Sequence, residues 1–400
     1  MHHLLSNKDC DKQQEKLYSP ALAMRLYSLI ALAVTSAVIL SMPACRPAEP
    51  QNVQELVDRQ VGLLVQQKKL ASAAVAVVRG GDVQTFFYGA VKSGNSQAPN
   101  ADTLYEIGSV TKTFTAAGLA LLVAEGVVAL DTPVQDLLPP GARVPDWNGR
   151  KITLGDLASH LSGLPGLPTN LKVGLSNLND PYADYTISDL CEFLAEYELE
   201  REPGAAYEYS NLGMSLLGHA LALKSGSAYE KFIQTRLLEP LGLSDSAFEL
   251  NPDQATRFAP PFRESLFGAV GCGPVPGRNW NLGIFAPAGA LKSTLNDMMR
   301  YLKANMEPQT TVLAEAASLL YTPRFVVTTE VKVALGWHTL SIADSADEII
   351  WHNGETGGYC SFVGFNAQSG TGVVVLSNTV AAKYTDPAAI NILTVLAALP

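Results

Sequence analysis

The sequence predicts an α+β fold: an antiparallel sheet flanked by helices, with a second lobe that is mainly helical. Three observations predict it. A segment near residue 80 reads as a β-hairpin, the last quarter reads as a run of short strands, and the long stretch between them is helical and rich in loops. The two strand-bearing ends must then meet in one sheet, and the middle forms the other lobe. A cleft between lobes is a common place for a small-molecule site.

The elements follow in order. "VQELVDRQVGLLVQQKKL" from Val53 has the apolar spacing of an amphipathic helix. "AAVAVVRGGDVQTFFYGAV" is strand, Gly80-Gly81-Asp82 turn, strand. An apolar helix opens at Ser109. "TLGDLASHLSGLPGLP" starts with a cap-like Thr153 and ends in Gly/Pro punctuation. "SNLGMSLLGHALALKSG" is a buried helix stopped by Gly226. "YEKFIQTRLLEPLGL" and "STLNDMMRYLKANM" are two further helices. "VKVALGWHTL", "EIIWHNG", "GYCSFVGFNA" and "GTGVVVLSN" are strands separated by turn residues. A closing helix from Pro387 to Leu399 covers the sheet. The expected domain runs over 53–399, with the sheet lobe formed by about 53–108 and 325–399.

Residues 1–45 precede that domain as an extension and an address. Arg25, the apolar run Leu26 to Leu40 and small residues before Cys45 read as a signal peptide, too short for a comfortable membrane span. Met24 is an alternative start to Met1. Cys45 after Pro43-Ala44 resembles a bacterial lipoprotein cleavage site. The expectation is an exported, periplasmic protein that meets a membrane only through a lipid anchor or the signal segment.

The chain has 400 residues and a formal charge of -10 without a basic block, which argues against nucleic acid as a partner. The five cysteines, Cys10, Cys45, Cys191, Cys272 and Cys360, have neither zinc nor disulfide-framework spacing. The last three read as small buried hydrophobes. The six histidines show no paired metal spacing, and His160 reads as structural. No metal or cofactor is expected. No Gly-x-Ser-x-Gly elbow occurs, which argues against an α/β-hydrolase.

The chemistry centres on "YEIGSVTKTFTAAG". A serine hydroxyl needs a nearby base to become a nucleophile. Residues three apart share a helix face, so Lys112 reaches back to Ser109, the one serine here with lysine three residues on. A helix start also offers amides and a dipole to a developing oxyanion. A second pattern, Tyr209-Ser210-Asn211, opens another helix and contains the one tyrosine followed two residues later by asparagine. A phenol beside a lysine ammonium can be driven towards phenolate and act as a base. The third, His352-Asn353-Gly354, lies on a strand, and Gly354 removes a side chain where a substrate could approach. Lys92-Ser93-Gly94, Lys172-Val173-Gly174 and Lys224-Ser225-Gly226 share the basic-x-Gly spacing, but only His352 lies on a C-terminal strand after the tyrosine pattern.

Ser-x-x-Lys, Tyr-x-Asn and Lys/His-x-Gly in that order resemble the class C β-lactamases and the related D-alanyl-D-alanine carboxypeptidases; sister motifs occur in class A enzymes. The resemblance runs from about Val53 to the C-terminus and includes "EGVVALDTPVQDLLPPGARVPDWNGRKITLGDLASHLSGLP" and "AGALKSTLNDMMRYL". It lies nearest the carboxypeptidase/endopeptidase branch. It implies a β-lactamase/DD-peptidase-like fold and a serine hydrolase that uses no metal or cofactor. Ser109 would be acylated, Lys112 and Tyr209 would move its proton, and Asn211 would position Lys112 and a substrate amide. His352 would line the cleft, and the N–H groups of Ser109 and Glu355 would form the oxyanion hole. The chain departs from the pattern at His-Asn-Gly-Glu, where relatives carry hydroxyl residues. Asn353 is then expected to offer a hydrogen bond to a substrate carboxylate, and Glu355 to bring negative charge near the cleft. Tyr359 is expected to flank the cleft. The substrate expected is a D-Ala-D-Ala cell-wall peptide, with a β-lactam or a small ester as alternatives. A reading of another class is a sensor that acylates with β-lactams without turnover; the loss of a motif residue would mark it, and none is lost.

Overall fold

The computed structural model describes residues 50–398 except 51, 93, 95, 172–179, 266–272 and 343–346. The expectations for Met1, Met24, the signal segment, Cys45 and Cys272 lie outside the described residues.

The main sheet has eight strands, all paired antiparallel. The N-terminal hairpin is β1 (Ser72–Arg79) and β2 (Asp82–Gly89). A short pair, β3 (Leu104–Glu106) and β4 (Lys292–Thr294), stands apart from the main sheet. The C-terminal run is β5 (Phe325–Val326), β6 (Val331–Val333), β7 (His338–Ser341), β8 (Glu348–Glu355), β9 (Cys360–Asn366) and β10 (Thr371–Ser377). The sheet order is β2-β1-β10-β9-β8-β7-β6-β5. The two ends of the chain meet where β1 pairs with β10, Val75 opposite Val375.

Both faces of the sheet are covered, which explains why β1, β9 and β10 read as nearly continuous apolar runs. Side chains alternate between faces with period two. Ala73, Val75 and Val77 join Phe362, Val373 and Val375 against the terminal helices, among Leu56, Val57, Ile392 and Leu393. Ala74, Ala76 and Val78 join Val374 and Leu376 on the other face, in one cluster with Phe114, Leu217 and Leu302 of the helical lobe and Trp337 of the β6–β7 turn.

The helices confirm most of the expected pattern and correct its ends. The N-terminal helix runs from Val53–Val57 through a π turn, Asp58–Gly62, to Leu63–Gln66. Asn211–Ser225 is capped by the Ser210 hydroxyl, which accepts from Gly213 N at 2.8 Å, and stops at Gly226 in the left-handed region. The closing helix is Ala382–Ala398 and so begins five residues before its expected start. Pro387 looked like a first-turn proline but lies inside the helix, where it forgoes one backbone bond. Cys360 is buried as expected, and its thiol is pushed up to about 12 by burial. Cys191 corrects its expectation: it is exposed, on the outer side of the Ile187–Glu196 helix.

Candidate active site

The helix Thr111–Ala124 runs through the core, with Thr111 to Leu122 buried. Its buried threonines are satisfied locally: Thr113 Oγ1 donates to Val110 O, and Thr115 Oγ1 donates to Pro287 O, both at 2.7 Å. Ser109 does not cap this helix. It sits in a 3₁₀ turn, Gly108–Val110, that precedes it. Gly108 has φ +51°, and a Cβ there would come within 2.8 Å of Glu355 N. Only glycine allows the turn to lie this close to the end of β8.

Lys112 is fully buried, and its Nζ donates to Ser109 Oγ at 2.8 Å and to Ala288 O at 2.7 Å. Burial without a carboxylate partner pushes the amine well below its usual value. Among the described residues no carboxylate pairs with the ammonium, so burial makes its proton easier to lose. Tyr209 stacks its ring against the Lys112 Nζ, 4.8 Å from the ring centre, and its hydroxyl interacts with Ser109. Burial raises the phenol, only partly offset by that interaction. This corrects the phenolate expectation: burial favours the neutral phenol.

Asn211 lies at the head of its helix and lines the same cleft as Ser109 and Glu355. Tyr182, Trp280, Leu282 and Phe285 form an apolar wall, with Tyr182 ring centres 5.4 Å from Trp280 and 5.2 Å from Phe285. Trp280 is the kind of residue expected in the core or a cleft wall; Tyr182, Leu282 and Phe285 carry no motif, so sequence patterns did not point to them.

The third motif is split between the two faces of β8. His352 is 1% exposed, behind Tyr209, with ring centres 6.3 Å apart. It does not line the cleft, which corrects its expected place. Its Nδ1 faces Asn353 O at 2.6 Å and therefore carries the proton, so Nε2 is a bare acceptor without a partner among the described residues. Burial, then His338 and Lys112, push the imidazole well below its usual value. His352 is thus a neutral group, not a cation waiting for a carboxylate. Gly354 shares its face: a Cβ there would fall 2.0 Å from Ile107 O. Asn353 and Glu355 point the other way. Asn353 Nδ2 donates to Asp386 at 2.6 Å, and Glu355 Oε2 accepts from Ala382 N at 3.0 Å, at the start of the closing helix. The expected role of Asn353 towards a substrate carboxylate is corrected by strand alternation, while Glu355 lines the cleft and its carboxylate is held by Ala382 N.

Two histidines join this cluster. His160, at φ +59°, accepts from Ser210 N at 3.1 Å through Nδ1 and packs its ring 4.5 Å from Tyr209. The structural reading of His160 holds, and its structural task is to brace the tyrosine motif. His338 pairs with Tyr207 OH at 3.0 Å and lies 5.3 Å from the His352 ring. Burial lowers His338 to about 4. Tyr359 is buried rather than flanking the cleft; its hydroxyl donates to Ala259 O at 2.6 Å. Among the described residues no cluster of His, Cys, Asp or Glu is arranged to hold a metal ion.

Comparison with known proteins gives a consistent result. The family model described as Beta-lactamase matches residues 51–397. The chain is 29% identical over 366 residues to the D-alanyl-D-alanine-carboxypeptidase/endopeptidase AmpH of Escherichia coli (strain K12), covering 88% of this chain and 91% of that protein. It is 29% identical over 388 residues to a beta-lactamase of the same organism, covering 89% and 96%. Its fold is similar to that of a beta-lactamase/D-alanine carboxypeptidase from Yersinia pestis complexed with citrate, with a TM-score of 0.72 at 22% identity over 86% of this chain and 98% of that one.

Proposed function

The chain belongs to the beta-lactamase family of serine hydrolases, and from that premise we propose that Ser109 attacks the carbonyl of a D-alanyl cell-wall peptide and carries the acyl group. The observation that supports this most is the 2.8 Å contact between Ser109 Oγ and a buried Lys112 whose proton is made easier to lose.

In the first step Lys112 takes the Ser109 proton as Oγ bonds to the carbonyl carbon. The oxygen that gains charge is received by the N–H groups of Ser109 and Glu355, a role supported by the close packing of the Gly108 turn on Glu355. The C–N bond to the leaving group then breaks. The proton held on Lys112 passes to the leaving nitrogen through Tyr209, whose hydroxyl spans to Ser109. In the second step water replaces the leaving group. Its proton goes to the same pair, its oxygen bonds to the acyl carbon, and Ser109 leaves with the proton. Asn211 holds the substrate amide at the cleft.

The substrate class rests on the similarity to AmpH, whose name describes a D-alanyl-D-alanine carboxypeptidase/endopeptidase. One observation favours a second reading, a neutral ester: the histidine of the third motif is buried and neutral and offers no charge to a substrate carboxylate. Purified protein incubated with a D-Ala-D-Ala peptide, a chromogenic cephalosporin and a short-chain nitrophenyl ester separates these. Turnover of the peptide alone supports the proposal, and turnover of the ester alone overturns the substrate. Labelling by a fluorescent penicillin without turnover of any of the three overturns hydrolysis in favour of a sensor. Ser109→Ala is expected to lower turnover by roughly 10⁴-fold or more; an unchanged rate overturns the nucleophile.

Export with a lipid on Cys45 is proposed from the N-terminal sequence, and among the described residues no helix is long and apolar enough to cross a membrane. Intact-mass analysis of protein from native membranes is expected to show a modified Cys45 at the N-terminus. An unmodified soluble form would overturn the lipid.

A further inference from the structure

Tyr209 is held through its chain neighbours. Ser210 N donates to His160 Nδ1 at 3.1 Å, and Glu208 N donates to His160 O at 2.9 Å, so one residue grips the chain before and after the tyrosine. The His160 ring lies against the Tyr209 ring, with centres 4.5 Å apart. Two residues before the tyrosine, the Tyr207 hydroxyl pairs with His338 Nε2 at 3.0 Å.

The two grips come from different parts of the fold. His160 follows the helix Leu154–Ala158, and His338 opens β7 of the main sheet. Gly336 N donates to Ala158 O at 2.9 Å, which ties the two supports together two residues before each histidine. His160 has φ +59°, the left-handed region that few side chains adopt. From that backbone its carbonyl and its ring both reach the segment 208–210. A backbone N–H can only donate, so His160 Nδ1 must be the acceptor of the Ser210 bond. Ser109 and Lys112 keep their own 2.8 Å contact, which does not pass through either histidine.

We propose that His160 and His338 are positioning residues that hold Tyr209 where it protonates a leaving nitrogen. The inference rests on the acyl-transfer reading above. When the C–N bond breaks, the nitrogen keeps the electron pair of that bond and takes the proton of the Tyr209 hydroxyl. The Lys112 ammonium then replaces that proton on Tyr209. A nitrophenyl ester needs no such step, because its C–O bond breaks and nitrophenolate leaves unprotonated with the electron pair. Loosening the grip therefore slows acylation by an amide and spares acylation by the ester.

The test compares two acylation rates: labelling by a fluorescent penicillin, in which an amide C–N bond opens, and the nitrophenolate burst from a short-chain nitrophenyl ester. Tyr209→Phe is the reference and should lose more on the penicillin than on the ester. Glycine fits φ +59° without strain and offers no acceptor, so His160→Gly should slow labelling by roughly 100-fold with the burst within about threefold. Asparagine also tolerates that backbone and brings back an acceptor, so His160→Asn should recover labelling to within about tenfold of wild type. Tyr207→Phe removes only the hydroxyl and should slow labelling by roughly 10-fold with the burst within about threefold. If His160→Gly does not fold, Tyr207→Phe decides. Equal losses on the two reagents, His160→Asn no better than His160→Gly, or unchanged labelling of Tyr207→Phe overturn the proposal. A wild type that the penicillin does not label, an active Ser109→Ala, or a Tyr209→Phe equally slow on both reagents overturns the acyl-transfer reading instead.

Discussion

The two faces of β8 meet different parts of the molecule. On one face His352 and Gly354 meet the nucleophile turn, Tyr209 and two further histidines. On the other, Asn353 and Glu355 meet the closing helix at Asp386 and Ala382. Both faces bury polar groups, but they use them differently. The helix face holds Asn353 and Glu355 in hydrogen bonds to the closing helix, which tie helix to sheet, and leaves one buried oxygen, Asp386 Oδ1, without a partner among the described residues. The site face leaves His160 Nε2, His338 Nδ1 and His352 Nε2 without partners among the described residues. Unpaired buried nitrogens cost stability. The site face therefore gathers three imidazoles of lowered proton affinity near Lys112, while the helix face fastens the closing helix to the sheet.

The largest test of this contrast is Gly354→Ala. The new Cβ would fall 2.0 Å from Ile107 O and 2.6 Å from Ser361 Oγ, so backbone must shift. Displacing the nucleophile turn is expected to lower kcat/KM by roughly 100-fold. Activity within a few-fold of wild type would show that the face tolerates a side chain.

A smaller effect comes from acid. His160, His338 and His352 are all held below their usual value by burial, so the folded chain keeps them neutral where the unfolded chain binds protons. The site-face contribution to stability is complete above the unfolded value of about 6.5 and is lost as pH falls from there towards about 4, the His338 value. Each group contributes at most about 1.4 kcal/mol per pH unit in that window. Urea unfolding should show a lower midpoint at pH 5 than at pH 7.5, and His338→Gln should reduce the difference. An equal difference in the variant would remove His338 from the set.

The smallest effect on catalysis is expected from Asn353→Ala. It leaves Asp386 buried without its 2.6 Å donor and should cost about 1–3 kcal/mol of stability, with kcat/KM within about twofold. A large loss of kcat/KM at full stability would place Asn353 in the site after all.

Much of this was legible in order along the chain. The hairpin, the strand run and the helix stopped by Gly226 follow from period, turn residues and caps, which act over a few residues. Ser109 and Lys112 are brought together by helical spacing alone. The closing helix shows where local signals fail: Pro387 reads as a start, yet Glu355 caps the helix five residues earlier from a distant strand.

The sequence by itself determined the α+β class, the serine–lysine pair and the alternation of β8, because each depends on neighbours within one turn or one strand. Only the tertiary structure decided which face of β8 meets the nucleophile. Packing also lowered the proton affinity of His352 and Lys112, since burial sets proton affinity and depends on every segment that covers the group. It brought Tyr182 and Phe285 to the cleft, residues far from Ser109 in the chain whose types alone carry no mark of meeting it.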